Sequence, residues 1–395
     1  MLDYLSKLDF PTPFLSFISI FIYSICFMYA LRVKNEVKKS IRTNSTKQDF
    51  QVTWFFILIS GFCVFYFADS DWFHYYENYS ILSRASIDDY SLLSFFEKTS
   101  ESHMEKAYTI LAGLSFENYF LFRFYIWGGA LIFIILTIRR IGLNKSVFFY
   151  LFISSFLLLF AYGRVSLSFS IAFLGYSMII YSKKNHLISI LLGLFLISIS
   201  LLFHKSAFFL IPIFLLSFLP YNKNTIIVSL IILVPVFFIV SNIESYIYYL
   251  PIESFQVVGA LEAELDSKQL SDSGSLIRLF IVYYLKFVPY YIYLLGVFYL
   301  VVTDSLKQCP RYIMCFVASA VWIIIFATVF LFINQYLMFY RFMIFSIIPI
   351  TITLAYFYAN RISKTAFMIK GVLGVGLFMT TFNLLYSFYM AVVMN

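Results

Sequence analysis

The chain alternates between long apolar runs and short polar connections. A helix needs about 20 mostly apolar residues to cross the hydrocarbon core of a bilayer. The pattern therefore predicts an all-α polytopic integral membrane protein, with a single transmembrane domain over residues 1–395. The runs predict about twelve transmembrane helices, at 12–32, 53–68, 119–138, 146–162, 165–182, 187–203, 206–220, 225–243, 279–302, 313–333, 340–359 and 366–392.

The charge of the connections alternates along the chain and predicts an orientation. Every second connection is rich in Lys and Arg, and together these connections hold sixteen basic residues against three acids. The positive-inside rule places them in the cytoplasm, so both termini are expected outside. The net charge of +8 is thus mainly a signal of topology, and it gives no support for nucleic-acid binding. The chain is therefore expected to cross its membrane many times.

Two longer loops, 69–118 and 244–278, are predicted on the extracytoplasmic side. After the first connection, the cytoplasmic ones are only a few residues long, and the chain has no P-loop and no Gly-x-Gly-x-x-Gly segment. An ATP-driven machine is therefore not expected, and any chemistry should take place at the outer face. The four cysteines are scattered and form no Cys/His cluster, so we expect no metal and no cofactor.

Cations lie where the positive-inside rule discourages them, at the predicted outer ends of the spans. They are Arg164, His204–Lys205, Arg278 and Arg341, with Arg123 and Lys286 close to the same level. An arginine fork suits a phosphate group, so we expect these helices to gather into a pocket for an anionic, lipid-linked substrate. Each cation alone also fits a side chain that reaches to the lipid headgroups. His204 fits either a general base or a hydrogen-bonded core residue.

The segment DSDWFHYYENY, at 69–79, follows an apolar run directly. It combines two carboxylates with aromatic rings, which stack on the apolar faces of sugars, so we expect sugar contact from Asp69, Trp72, His74, Tyr75 and Tyr76. An ordinary solvated loop start remains an alternative, and so does a divalent-cation site at Asp69–Asp71. Asp71 and Glu105 are further candidates for a proton acceptor.

Five short motif segments occur in an order that resembles the EpsG family of exopolysaccharide polymerases, which is related to the Wzy-type O-antigen polymerases. The segments are DSDWFHYY at 69–76, MEKAYTIL at 104–111, GRVSLSFSIAF at 163–173, LLFHKSAFFLIPI at 201–213 and YRFMIFSIIPI at 340–350. The family usually has Gln after the arginine of the third segment. Here Val165 follows Arg164, which leaves the role of that Gln without a counterpart.

The resemblance implies a GT-C-like membrane glycosyltransferase that joins glycan repeat units carried on undecaprenyl pyrophosphate, without a metal ion. A sugar hydroxyl would attack the anomeric carbon of the donor, and the lipid pyrophosphate would leave. Arg164, Lys205, Arg278 and Arg341 would bind the pyrophosphate, and His204, Asp71 or Glu105 would accept the proton. Membrane lipid, a chain-length regulator and a flippase are the expected partners.

Three other functions fit the same pattern. An O-antigen-ligase-like glycosyltransferase would use the same chemistry on another acceptor. A flippase or transporter for the lipid-linked units is also compatible, although the polar segments lie at one face rather than at the midplane, where transporters bind their substrates. A membrane acyltransferase would need a path for its acyl donor to reach His204.

Overall fold

The computed structural model describes residues 13–39, 45–66, 79, 106–115, 118–161, 165–181, 186–219, 287–332, 336–362 and 364–393. Every regular element within these ranges is a helix, so the all-α prediction holds for the part of the chain that is described. The helices are α1 (Pro13–Lys39), α2 (Ser45–Phe65), α3 (Lys106–Leu114), α4 (Tyr119–Ile141), α5 (Lys145–Ser155), α6 (Leu157–Ala161), α7 (Val165–Ile180), α8 (His186–Phe203), a 3-10 helix (Lys205–Phe209), α9 (Leu210–Leu216), α10 (Val288–Val302), a 3-10 helix (Ser305–Gln308), α11 (Arg311–Phe332), α12 (Tyr336–Phe345), α13 (Ile347–Ala359) and α14 (Ala366–Val393).

These helices overlap eleven of the twelve predicted spans, and the twelfth, 225–243, lies outside the described residues. Within the described residues, six stretches are long and apolar enough to cross a membrane, and five further apolar helices are shorter. The count of twelve spans therefore stays a prediction. Loop 244–278 and most of loop 69–118 also lie outside the described residues, although α3 falls within the latter.

The core of the bundle is formed by helices whose surfaces are buried all round. In α5 every residue from Ser146 to Ser155 is buried, and α7 is buried from Val165 to Ser177. Helix α8 differs, since only Gly193, Ile197 and Ser200 are buried and its other apolar side chains are exposed or partly exposed. Such a helix suits the lipid boundary, because apolar side chains cost nothing in hydrocarbon.

Helices α7 and α8 pack backbone against backbone. A Cβ added at Gly175 would lie 2.5 Å from the carbonyl oxygen of Gly193, and one at Gly193 would lie 2.6 Å from that of Gly175. Nearer the other end of the pair, Ser168 Oγ donates to the Ser200 carbonyl at 2.8 Å. The two helices are therefore antiparallel, and the start of α7 lies beside the end of α8.

One face of the bundle, which we call the basic face, collects the ends of helices that carry the predicted cytoplasmic connections. Contacts across this face join α2 to α5, α4 to α8 and α7 to α11: Lys145 Nζ with Asp49 Oδ1 at 2.5 Å, Arg140 Nη2 with Ser189 Oγ at 3.4 Å, and the rings of Tyr181 and Tyr312 at 4.8 Å. We call the opposite face the motif face. There α2 and α8 end, and α4, α7 and α12 begin.

Helix α12 stops at Phe345, and α13 begins two residues later. Pro349 has no N–H to give to the Phe345 carbonyl four residues earlier, so the helical ladder is interrupted at that point. Ser346 bridges the break, since its N–H bonds to the Met343 carbonyl at 3.2 Å. The short helix α12, which carries Arg341, is thereby set off from the longer apolar helix that follows.

Candidate active site

His204 marks the place where α8 ends and the chain turns back. Its N–H still bonds to the Ser200 carbonyl at 3.1 Å, but its backbone is extended, with φ −161° and ψ 120°. The imidazole Nδ1 accepts the N–H of Ser206 at 3.2 Å and lies 2.5 Å from Ser206 Oγ. His204 is only 4% exposed. It therefore caps the 3-10 helix that follows, in which Lys205 has a described backbone but no described side chain.

The start of α7 lies beside His204. Ser168, in the first turn of α7, donates to the same Ser200 carbonyl that accepts the His204 N–H. Two residues earlier, Ser166 Oγ donates to the Phe160 carbonyl at 2.6 Å and holds the start of α7 against the end of α6. Arg164 directly precedes Val165 in the sequence and lies outside the described residues.

Helix α12, which carries Arg341, packs next to the same turn. The ring of Phe342 lies 5.3 Å from that of Phe209, at the end of the 3-10 helix that His204 caps. One turn further on, Phe345 lies 6.0 Å from Phe169 of α7. Arg341 itself is partly buried. The structure thus gathers His204, the start of α7 and the helix of Arg341.

Helix α3 approaches the turn from another side. Tyr108 is fully buried and packs edge-on against Phe203, with the ring centres 5.5 Å apart. Phe203 is the residue before His204, so the first turn of α3 lies against the end of α8. Glu105 immediately precedes α3 in the sequence and lies outside the described residues.

Arg123 is held by the end of helix α2. Its guanidinium and Nε donate to three carbonyls, those of Cys63 at 2.8 Å, Val64 at 3.0 Å and Tyr66 at 3.0 Å. Its Cζ also lies 4.4 Å from the ring centre of Trp127. Arg123 satisfies carbonyls that have no partner within their own helix. The sequence grouped Arg123 with the outer cations, whereas the structure makes it part of the scaffold.

Both flanks of the segment 67–78 are tied to α4. At one flank Tyr66 accepts the hydrogen bond from Arg123. At the other, Tyr79 shares a hydrogen bond with Ser115 Oγ at 2.7 Å, and its ring lies 5.3 Å from Tyr119 and 5.0 Å from Phe122. The residues predicted to contact sugar lie in this segment, outside the described residues: Asp69, Trp72, His74, Tyr75 and Tyr76. Asp71 lies in the same segment, and Arg278, elsewhere in the chain, is also outside the described residues.

A continuous set of contacts therefore links the described flanks of all five motif segments on the motif face. Trp127, which packs on Arg123, donates its indole N–H to the Phe160 carbonyl at 3.3 Å. The Phe160 carbonyl also accepts from Ser166, in the first turn of α7. In the same turn, Ser168 donates to the Ser200 carbonyl, which also accepts the N–H of His204. Within the described part of the chain, no three His, Cys, Asp or Glu side chains group as a metal site.

The EpsG family model matches residues 50–393, which covers most of the chain and all five motif segments. This chain belongs to the EpsG family. No curated protein and no solved structure matches it.

Reasoning from sequence missed several residues that hold this EpsG-family site together. Tyr108, Trp127 and Ser168 were not singled out, although each makes one of the contacts above, and Ser206 was noted only as part of the Phe-His-x-Ser pattern of the family. The cap on the Ser206 N–H carried a signal at His204, because a polar side chain at an N-cap commonly accepts the N–H two or three residues later. The Ser168 contact carried none, because its partner Ser200 lies on another helix.

Proposed function

We propose that this EpsG-family protein is a polysaccharide polymerase. It would join repeat units carried on undecaprenyl pyrophosphate, at the extracytoplasmic side of the bacterial inner membrane. Family membership over residues 50–393 supports polymer synthesis. The observation that carries the assignment of the site is the packing of Phe342 on Phe209, which brings the helix of Arg341 to the turn of His204.

In the proposed reaction, a sugar hydroxyl of the acceptor attacks the anomeric carbon of the donor glycan. The bond from that carbon to the phosphate oxygen breaks, and the electron pair leaves with the lipid pyrophosphate. Because negative charge grows on the leaving group, fixed cations stabilise the transition state most. Arg164, Lys205, Arg278 and Arg341 are proposed for this task, without a metal ion. The lipid pyrophosphate itself supplies the driving force.

The acceptor hydroxyl must lose its proton to a base. The candidates are His204, Asp71 and Glu105, and the contact of Tyr108 with Phe203 supports the proximity of α3, which follows Glu105, to the His204 turn. Sugar binding is proposed for Asp69, Trp72, His74, Tyr75 and Tyr76. The anchoring of both flanks of this segment on α4 supports a position on the motif face.

The finer architecture belongs to the same proposal. Twelve spans in a GT-C-like arrangement would place both termini and the loops 69–118 and 244–278 outside. The basic face would then be cytoplasmic, in agreement with the positive-inside rule. A chain-length regulator and a flippase are proposed as partners, since a polymerase consumes units that another protein must deliver.

A deletion strain complemented with variants tests the proposal. We expect the wild-type gene to restore long glycan chains, and Arg341→Ala and Arg164→Ala to leave mainly single repeat units. Removing one charged ligand of the leaving group should slow chain growth by about 10²–10³-fold. Glycan chain length on gels is the measurement, normalised to membrane-inserted protein. Lys307→Ala is the control, because Lys307 is 75% exposed and belongs to the predicted cytoplasmic set.

The same strain separates the alternatives. Loss of a polymerase leaves single repeat units on the final acceptor, whereas loss of a flippase removes them as well. Loss of a ligase leaves long chains on the lipid carrier. Full-length glycan in the Arg341→Ala strain would remove Arg341 from the site, and full-length glycan in the deletion strain would contradict the proposed function itself.

A further inference from the structure

We propose that a groove between α4 and α8 binds one anionic phospholipid, with the headgroup phosphate at Arg140 and an acyl chain along the groove. The headgroup end lies at the basic face, at the opposite side of the bundle from the motif segments. The inference therefore does not depend on the proposed reaction. It starts from an arginine whose charge meets no carboxylate in the described part of the chain.

Arg140 lies in the last turn of α4 and reaches across to the first turn of α8. Its Nη2 donates to Ser189 Oγ at 3.4 Å, which is long for a hydrogen bond. Its Nε is buried and has no acceptor among the described residues. The ion pairs in those residues involve other side chains. A partly buried cation without a counter-ion is costly, so this position favours an anionic ligand.

The groups that meet at Arg140 suit a phosphate in particular. The guanidinium offers a planar fork of donors, which matches two phosphate oxygens. Ser189 Oγ accepts from Arg140, so its own proton is available to a further oxygen. The first N–H groups of α8 have no partner within their helix and lie at the positive end of its dipole. A phosphate beside Ser189 would therefore be stabilised from both helices.

Helix α7 forms the floor of the groove, because both α4 and α8 pack on it. A Cβ added at Gly129 of α4 would lie 3.3 Å from Leu167 Cδ1 of α7. On the other side, the close approach of Gly175 and Gly193 joins α7 to α8. Helices α4 and α8 thus lie on the same supporting helix, and the Arg140 side chain bridges them at one end.

Helix α3 closes the groove toward the motif face. Tyr125 Oη of α4 donates to the Leu114 carbonyl of α3 at 3.3 Å, and Tyr108 of α3 packs on Phe203 of α8. Phe203 lies fourteen residues after Ser189, on the same face of α8, so the groove is about 21 Å long. One leaflet of a bilayer is only about 15 Å deep in hydrocarbon. The groove is therefore long enough for an acyl chain.

The walls of the groove are apolar and exposed. Leu136 and Ile132 precede Arg140 by four and eight residues, on the same side of α4, and are 41% and 48% exposed. On α8, Leu192 follows Ser189 by three residues and is 43% exposed. An apolar surface that ends in a cation matches a lipid with an anionic headgroup, whereas a free phosphate would leave that surface unused.

The full-length protein, purified in a neutral maltoside detergent, tests the site through its apparent melting temperature. We expect dioleoyl phosphatidylglycerol to raise the melting temperature of wild type. Dioleoyl phosphatidylcholine and glycerol 3-phosphate, at the same concentration, should leave it unchanged. Arg140→Gln should need about 10–100-fold more phosphatidylglycerol for the same rise, because a charged hydrogen-bond partner of the phosphate is lost.

Two further variants isolate the role of Arg140. Arg139→Gln is the matched control, because Arg139 is the exposed preceding residue and acts electrostatically on Asp49, the partner of Lys145. Its response should stay within about fivefold of wild type, as for other exposed charges. Ser189→Asp gives Arg140 a carboxylate within the protein and should abolish the response to phosphatidylglycerol. It should still fold, because an acid in the first turn of a helix is favourable.

Each outcome supports or overturns one part of the proposal. An equal response in wild type and Arg140→Gln would remove Arg140 from the site. A response to glycerol 3-phosphate as large as that to phosphatidylglycerol would overturn the lipid assignment, and an equal response to phosphatidylcholine would overturn the preference for an anionic headgroup. If Arg140→Gln does not fold, a retained response in Ser189→Asp contradicts the proposal. None of these results depends on polymer formation, so the proposed function can fail separately.

Discussion

Arg123 shows how a charged residue inside a membrane protein can hold the fold together. The last carbonyls of a helix have no partner within the helix, and water is not available to replace one in the hydrocarbon region. Arg123 donates to three such carbonyls at the end of α2 while its side chain is 4% exposed. Its fork of donors makes this possible, because a lysine ammonium has neither the reach nor the planar geometry.

Replacing Arg123 should therefore destabilise the fold. We expect Arg123→Ala to lower the free energy of unfolding by about 2–4 kcal/mol, because hydrogen bonds to a charged group are lost and buried carbonyls are left without donors. Arg123→Lys should recover only part of this loss. The apparent melting temperature in detergent is the measurement, with Lys307→Ala as the exposed control. An unchanged melting temperature in Arg123→Ala would show that the cap contributes nothing.

The role of Arg123 was not predictable from sequence, and the reason is physical. Its partners Cys63, Val64 and Tyr66 lie on another helix about sixty positions away. Hydropathy and charge locate an arginine within a span, but they do not identify what it faces. His204 was easier to find, since a His-Lys pair between two apolar runs is unusual, yet its capping of Ser206 needed coordinates.

At the scale of helices, the α7–α8 pair is the element that positions the site. Its two ends on the motif face are the start of α7, which follows Arg164 in the chain, and the end of α8 at His204. The close approach of Gly175 and Gly193 sets the spacing of the axes, and the Ser168–Ser200 hydrogen bond sets the register. Small residues at such crossings are common between membrane helices.

A methyl group at this crossing should therefore disturb the site. We expect Gly175→Ala and Gly193→Ala each to cost about 1–3 kcal/mol through overpacking, because the added Cβ meets backbone that cannot rotate away. The shift should also slow chain growth in the complemented strain, although the protein still inserts. Gly374→Ala is the matched control, since a Cβ there meets no atom within 4 Å. Equal chain growth in all three variants would contradict this view of the crossing.

The helices themselves were largely predictable, because long apolar runs read directly as membrane segments. The start of α7 was predicted at 165 and begins at Val165, and the span 187–203 corresponds to α8 at His186–Phe203. The interruptions were not predicted. The span 146–162 is broken at Phe156, and the span 340–359 is broken at Ser346. The second break could have been predicted from Pro349, three residues further on.

The described part of the molecule has two unlike faces, and the predicted topology depends on them. The basic face joins helix ends that carry Lys and Arg, while the motif face joins the flanks of the five motif segments. Charge counts alone predicted this separation, because the alternation of basic connections follows the alternation of helix direction. The convergence of His204 with the helix of Arg341 could not be predicted, since charge counts say nothing about which helices are neighbours.

Thiol labelling tests the orientation of these faces. We expect Lys307→Cys to react with an impermeant maleimide only after spheroplasts are permeabilised, and Ser273→Cys, in the predicted outer loop, to react in intact spheroplasts. The native cysteines add little background. Three are buried, and burial raises the pKa of Cys309 to about 11, so little of the reactive thiolate exists at neutral pH. The reverse pattern would invert the proposed topology.

The cap that Arg123 places on α2 also has a consequence for biosynthesis. Ribosomes deliver the chain from its amino terminus, so α2 reaches the bilayer before α4 does. Until α4 arrives, the carbonyls of Cys63, Val64 and Tyr66 lack the donor that later holds them. The nascent hairpin therefore locks only when its second arm is inserted, and the segment between the arms acquires fixed flanks at that moment.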